Sequence, residues 1–115
     1  MLRPVTVNLV LLDDEIEVSQ AIPLGKHTGV SVNVTVHNCS GSALDLRVYF
    51  QGSNDLDHWE NCFQAQIIDW PSSDLLSFIY PMPLACAFGR VKYENGPNST
   101  SNTVVFSADV NLVEL

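Results

Sequence analysis

Three histidines and the serines are the residues of this sequence most often used in catalysis or zinc binding. His27, His37 and His58 are potential zinc ligands, but no two of them have a metal-binding spacing such as His-x-x-x-His. No serine lies in a Gly-x-Ser-x-Gly motif, in which a hydrolase holds its nucleophile for activation by histidine and a carboxylate. We therefore expect no catalytic site, no zinc site and no cofactor.

An acidic segment near the N-terminus is the best candidate for binding a cation. Asp13, Glu15 and Glu17 alternate along the chain, so an extended strand would place their carboxylates on one side. Clusters of carboxylate oxygens of this kind suit Ca²⁺. Charges on an edge strand also discourage pairing with other sheets. We favour a solvent-exposed edge and keep calcium binding as the alternative.

The cysteines are three in number, Cys39, Cys62 and Cys86, which allows at most one intramolecular disulfide. No two of them form a Cys-x-x-Cys pair, so their spacing does not indicate a metal site. Free cysteine is among the most buried residue types. We expect buried or half-buried thiols, with one disulfide as the alternative.

Length, composition and charge describe a neutral-polar chain of domain size. With 115 residues and 46% hydrophobic residues, residues 1–115 are expected to form one domain around one core.

A formal charge of −8 repels phosphate groups, which argues against binding nucleic acid or an anionic membrane surface. No apolar run reaches the ~20 residues that span a bilayer. Residues 5–12 alternate like a strand, so we expect a soluble protein without a signal peptide in this chain. The sequence does not fix its location, and a virion or an extracellular surface is compatible with these features.

Strict two-residue alternation of apolar side chains predicts the fold class. Three segments show this alternation, namely residues 30–36, 44–50 and 104–112. In each of them the apolar side chains are expected on one face and the alternate side chains, such as Asp45, on the other. The first two segments flank a turn-rich stretch and are expected to pair as a hairpin. Weaker segments bring the total to seven or eight strands. The sequence predicts a single-domain antiparallel β-sandwich, with jelly-roll and immunoglobulin-like topologies left open.

A local motif at residues 50–59 predicts a hairpin that ends in a tryptophan. A strand is followed by a Gly-Ser-Asn-Asp turn, in which Asn and Asp side chains bond their own backbone, and then by an aromatic residue. This motif resembles the hairpin of discoidin-like β-sandwich modules, which bind sugars or coat larger assemblies. Residues 86–93, with Arg90, are similar to the arginine-bearing strand that follows in those modules. We favour a purely structural hairpin. The alternative, which the resemblance implies, is that Ser53, Asn54, Asp55 and Trp59 contact a ligand.

Three Asn-x-Ser/Thr triplets begin at Asn33, Asn38 and Asn98. Glycosylation and ordinary polar strand faces or loops both explain them, and the sequence does not choose between the two.

Aromatic side chains are the remaining candidates for ligand or partner contact. Five of them are suited to stacking on the apolar face of a sugar, namely Tyr49, Trp59, Trp70, Tyr80 and Tyr93. Packing in the core or at an interface is the simpler explanation for the same residues. The stretches around Trp70 and Tyr80 are also unusually apolar for loop-edge regions, and such patches often mark subunit contacts.

Two functions follow from these patterns. The first is a non-enzymatic structural or accessory protein that packs into a larger assembly, such as a capsid decoration, a tail component or a surface filament. Its partners would be proteins, including further copies of the same chain. The alternative is a carbohydrate-binding module that uses the exposed aromatics and the residue 52–59 hairpin.

Overall fold

The computed structural model describes residues 2–12, 16–25, 29–39, 45–67, 75–81, 86–96 and 103–113. Every regular element in these ranges is a β-strand. The strands are β1 (Leu2–Leu12), β2 (Ile16–Val18), β3 (Ile22–Pro23), β4 (Gly29–Cys39), β5 (Leu46–Ser53), β6 (Glu60–Ile67), β7 (Leu75–Pro81), β8 (Phe88–Asn95) and β9 (Thr103–Val113). Within the same ranges, no helix is long and apolar enough to cross a membrane.

The strands form two antiparallel sheets. The first sheet has the order β1-β9-β4-β7, and the second has the order β2-β8-β5-β6. The short strand β3 also pairs with β8, further along the edge that β2 occupies, so β2 and β3 act as one interrupted edge strand. Each sheet therefore has four strand positions. The predicted antiparallel β-sandwich is confirmed, and the eight positions agree with the predicted number of strands.

The strand pairs are nested, and this identifies the topology as a jelly roll. β1 pairs with β9, β2 and β3 with β8, β4 with β7, and β5 with β6, as in a long hairpin that has been rolled up. Of the two predicted topologies, the immunoglobulin-like one is thereby excluded. The predicted hairpin between β4 and β5 is also wrong, because these strands lie in different sheets. Alternation tells which face of a strand is buried but not which strand lies beside it.

The core lies between the sheets and uses the predicted apolar faces. Val30, Val32, Val34 and Val36 of β4 are buried, as are Leu46, Val48 and Phe50 of β5 and the alternate residues Val104, Phe106, Ala108, Val110 and Leu112 of β9. Of the aromatic residues considered for sugar stacking, Tyr49 is buried and Tyr93 is fully buried, as core packing requires. The rings of Tyr93 and Phe106 meet edge-on with their centroids 4.7 Å apart. Tyr93 alternates with the polar side chains of β8, so it faces the core.

The prediction that Asp45 faces solvent is wrong. Its side chain is 1% exposed, and its carboxylate accepts hydrogen bonds from Arg47 Nη2 and Gln66 Nε2, each at 3.2 Å. Its backbone carbonyl accepts from the Gly96 N–H at 2.8 Å. Asp45 directly precedes β5, so the alternation of that strand does not govern the direction of its side chain.

Candidate functional site

The loop between β5 and β6 is organised around the carboxylate of Asp55. Asp55 Oδ1 accepts hydrogen bonds from the N–H groups of Asp57 and His58 at 2.9 and 2.8 Å, and from Ser53 Oγ at 3.1 Å. His58 Nδ1 lies 2.7 Å from Asp55 Oδ2. These contacts, led by the bond from the His58 N–H, hold the pKa of Asp55 well below its usual range. Asp55 therefore stays ionised and holds the turn in one shape.

Ser53 and Asn54 connect this turn to its surroundings. Ser53 Oγ accepts hydrogen bonds from the N–H groups of Asp55 and Leu56 at 3.3 and 3.1 Å. Asn54 Oδ1 accepts from the N–H of Ala87, 3.0 Å away in the segment that leads into β8. Leu56 has a left-handed φ of 65°, which closes the turn and leaves its side chain exposed. The hairpin predicted for residues 50–59 is confirmed.

A pocket of about 260 Å³ opens beside this turn. Its lining residues are Gly52, Ser53, Asn54, Asp55, His58, Glu60 and Cys86. Glu60 begins β6 and lies opposite Gly52 in the strand register. The lining combines two carboxylates, an imidazole, an amide, a hydroxyl and a thiol. Such a set of groups can exchange hydrogen bonds with a small polyhydroxylated or cationic ligand.

Trp59 lies between the pocket and the outer surface of the second sheet. Its indole N–H donates to the Leu56 carbonyl at 3.3 Å, and the Arg90 guanidinium stacks 4.2 Å from its ring centroid. Arg90 Nε also donates to Gln51 Oε1 at 2.7 Å. The cation–π contact occupies one face of the ring. Only the other face of Trp59 is left to stack on a sugar.

The outer face of the second sheet is built from cross-strand rows of side chains. One row contains Val18, Lys92, Tyr49 and Gln64, and the next contains Ile16, Glu94, Arg47 and Gln66. Residues directly opposite each other in antiparallel strands point to the same side of a sheet. We call this surface, defined by those eight residues, the outer face.

Tyr49 is the anchor of the outer face. Its hydroxyl donates to Glu94 Oε2 at 3.1 Å, and Lys92 Nζ lies 5.1 Å from its ring centroid. Burial, followed by the contact with Glu94, raises the pKa of Tyr49. At the edge of the same face, Ile16 and Val18 are 52% and 44% exposed. Sequence reasoning missed this exposed apolar pair, because residues 15–21 alternate too briefly to assign a face.

The predicted site residues fall into separate places. Ser53, Asn54 and Asp55 come together at the pocket with Trp59 beside them, whereas Tyr80 lies in β7 of the first sheet, opposite Val30. Trp70 lies outside the described residues, as do Asp13 and Glu15 of the calcium candidate and the acceptor Asn98. Glu17, the remaining calcium candidate, is exposed in β2. Among the described residues, no three His, Cys, Asp or Glu side chains are grouped to hold a metal.

Two predicted glycosylation acceptors lie in β4. Asn33 Nδ2 donates to Asp109 Oδ1 at 2.9 Å across the first sheet, and Asn38 is exposed near the end of the strand. The side-chain amide of Asn33, the atom that a glycan would modify, is thus already engaged.

No disulfide joins the three cysteines, and each of them is partly buried against the core. Cys62 and Cys86 lie beside Gly52, whereas Cys39 ends β4 in the other sheet. The expectation of half-buried thiols is confirmed.

Comparison with known proteins supports the fold but assigns no family. No protein-family model matches this sequence, and no curated protein matches it. Among solved structures, the fold is similar to that of the Yersinia pseudotuberculosis-derived mitogen (YPM), with a TM-score of 0.55 and 17% identity. The match covers 97% of this chain and 87% of that protein. At this level of identity, the chain is similar to the mitogen in its fold alone.

Proposed function

We propose that this protein is a non-enzymatic jelly-roll subunit that works by protein–protein contact in a larger assembly, with further copies of its own chain as partners. The observation that carries the proposal is the pair of exposed apolar side chains, Ile16 and Val18, at the edge of the outer face. Adjacent exposed apolar groups are typical of contact surfaces, because burying them against a partner removes them from water.

The rest of the outer face suits a partner that docks flat against it. Tyr49, Lys92 and Glu94 already hold one another through a hydrogen bond and a cation–π contact. A partner therefore meets side chains that are largely ordered before binding, which lowers the entropy lost on association. Tyr49 itself is buried beneath these polar groups, and an apolar edge beside a polar surface matches the apolar core and polar rim of many interfaces.

Charge favours face-to-face contact over pairing of strand edges. In an antiparallel pair of β2 strands centred on Glu17, the two Glu17 carboxylates would stand opposite each other, and like charges in that position are destabilising. The net charge of −8 also makes copies repel each other at low salt. Association should therefore strengthen when salt screens this repulsion.

Sedimentation equilibrium at low and high salt tests the proposal. We expect wild-type protein to self-associate with a dissociation constant below about 1 mM. A constant of about 1 mM corresponds to a binding free energy of about −4 kcal/mol. The double variant Ile16→Thr/Val18→Thr should stay monomeric, since threonine keeps the strand preference but removes apolar surface. Leu56→Asn is the matched control, because Leu56 is equally exposed but lies in the β5–β6 turn. A wild-type monomer at all concentrations and salts would refute the proposal.

Carbohydrate binding is the second candidate, and the pocket beside Asp55 favours it. Sugar hydroxyls need paired donors and acceptors, and His58, Glu60 and Asn54 line the pocket with Trp59 next to it. The test is a glycan-array screen followed by calorimetry of any glycan that binds. Glu60→Gln should weaken that binding, whereas Gln64→Ala on the outer face should leave it unchanged. Failure of all glycans to bind at millimolar concentration removes this candidate.

A further inference from the structure

We propose that Cys62 and Cys86 are a redox pair that forms a disulfide beside the pocket. A Cβ atom added to Gly52 would lie 2.5 Å from Cys86 Sγ and 3.3 Å from Cys62 Sγ. Both sulfurs therefore border the same small space above one glycine. The proposal concerns a different surface from the outer face and does not rest on the proposed assembly.

A β-bulge accounts for the position of Cys62. Phe50 pairs with Phe63 and Gln51 pairs with Asn61, so Cys62 is the extra residue on β6. Bulges bend a strand and re-aim its side chains. Cys62 consequently packs against the core beside Phe63 instead of following the alternation of β6.

Cys86 approaches from the segment that leads into β8. It lines the pocket, and the next residue, Ala87, donates its N–H to Asn54. Cys62 Sγ lies 3.7 Å from the Glu60 carbonyl, and burial, followed by the neighbouring Cys86 thiol, raises the pKa of Cys62. Because Gly52 has no side chain, nothing from that residue stands between the two sulfurs. Cys39 lies in the first sheet and is the thiol expected to remain single.

The oxidation needs a small disulfide, such as oxidised glutathione, as the electron acceptor. The Cys86 thiolate, which is reached through the pocket, attacks one glutathione sulfur and releases the other glutathione as a thiolate. The Cys62 thiolate then attacks Cys86 Sγ and displaces the second glutathione. The two protein thiols lose two protons and two electrons in total, and the oxidant is reduced to two thiols.

The bond would join β6 to the segment before β8 and fix the pocket wall formed by Cys86. A bond between residues 62 and 86 closes a loop and so restricts the unfolded chain. The oxidised protein should therefore have a Tm higher by on the order of 10 °C. Treatment with dithiothreitol should reverse this shift.

The test treats folded wild-type protein with oxidised glutathione and then counts thiols and maps peptides. We expect the thiol count to fall from three to one, with Cys62 linked to Cys86 and Cys39 as the thiol that is still counted. Cys86→Ala should abolish the linked peptide and the Tm shift, whereas Cys39→Ala should retain both. The wild-type peptide map decides the matter even if a variant folds poorly. A map with Cys39 in the bond, or with only separate glutathione adducts on Cys62 and Cys86, would overturn the proposal.

Discussion

Gly52→Ala tests the packing that brings the two thiols and the pocket together. The new methyl group would stand 2.5 Å from Cys86 Sγ, 3.2 Å from Cys86 Cβ and 3.3 Å from Cys62 Sγ. Carbon and sulfur atoms pack favourably only beyond about 3.5 Å, so Cys86 must retreat by about 1 Å. Because Gly52 lies within strand β5, the cost of the substitution is steric and not one of backbone strain.

The expected loss of stability is about 2 kcal/mol, within the range for overpacked sites. For a domain of this size, that loss lowers Tm by about 8 °C. The contact with Cys86 Cβ keeps the cost high, because this atom moves only if the backbone of the segment moves. That movement also strains the hydrogen bond from the Ala87 N–H to Asn54.

Urea unfolding of the reduced protein provides the assay, and a double-mutant cycle assigns the cause. In a Cys86→Ala background, the cost of Gly52→Ala should fall by about 1 kcal/mol or more, since the sulfur that it meets is gone. Gly89→Ala is the matched control. Gly89 lies opposite Gly52, but its added methyl group would meet Phe50 Cζ at 2.5 Å. Cys86→Ala should therefore leave the cost of Gly89→Ala unchanged. Equal rescue of both glycine variants, or no cost for Gly52→Ala, would refute this description of the packing.

Three further predictions concern the turn, the Arg90–Trp59 contact and the outer face. The low pKa of Asp55 means that its contribution to stability is complete above its ordinary value of 3.8 and is lost as pH falls below that value, so Asp55→Asn should flatten the acid limb of a stability–pH profile. Arg90→Lys should remove about 0.5–1 kcal/mol of coupling to Trp59 in a double-mutant cycle, because an ammonium group lacks the guanidinium plane. Tyr49→Phe should lower the free energy of unfolding in urea by about 1 kcal/mol. In the Tyr49→Phe background, Glu94→Gln should lower it by less than in wild type, since the hydrogen bond between the two side chains is already absent.

The sequence predicted the buried faces of the strands well but not their neighbours. Alternation over residues 30–36 and 104–112 identified core valines, because a half-buried strand shows its two faces directly in its residue order. The order of the strands depends on which sheet each connection enters, and alternation carries no such information. The same limit explains the wrong pairing of β4 with β5.

The part of the candidate site that is formed by neighbouring residues in the sequence was predictable. The parts formed by residues far apart in the chain were not. Side chains of the Gly-Ser-Asn-Asp turn bond the turn's own backbone, so the sequence of residues 52–59 was enough to predict their structure. Cys62 and Cys86 lie beside Gly52 because a bulge in β6 and the pairing of β5 with β8 bring both of them there. Ile16 and Val18 share a face with Tyr49 through pairing with β8, which cannot be inferred from a three-residue strand. The discoidin-like resemblance of the hairpin stays a prediction.

A dilution series followed by amide NMR tests most directly whether the outer face is the contact surface. As the protein concentration rises at moderate salt, we expect concentration-dependent shifts at residues 16–18 and at Lys92 and Glu94, and none in β4 or β9 of the first sheet. The Ile16→Thr/Val18→Thr variant should lose these shifts. Spectra independent of concentration, or shifts confined to the first sheet, would contradict assembly through the outer face.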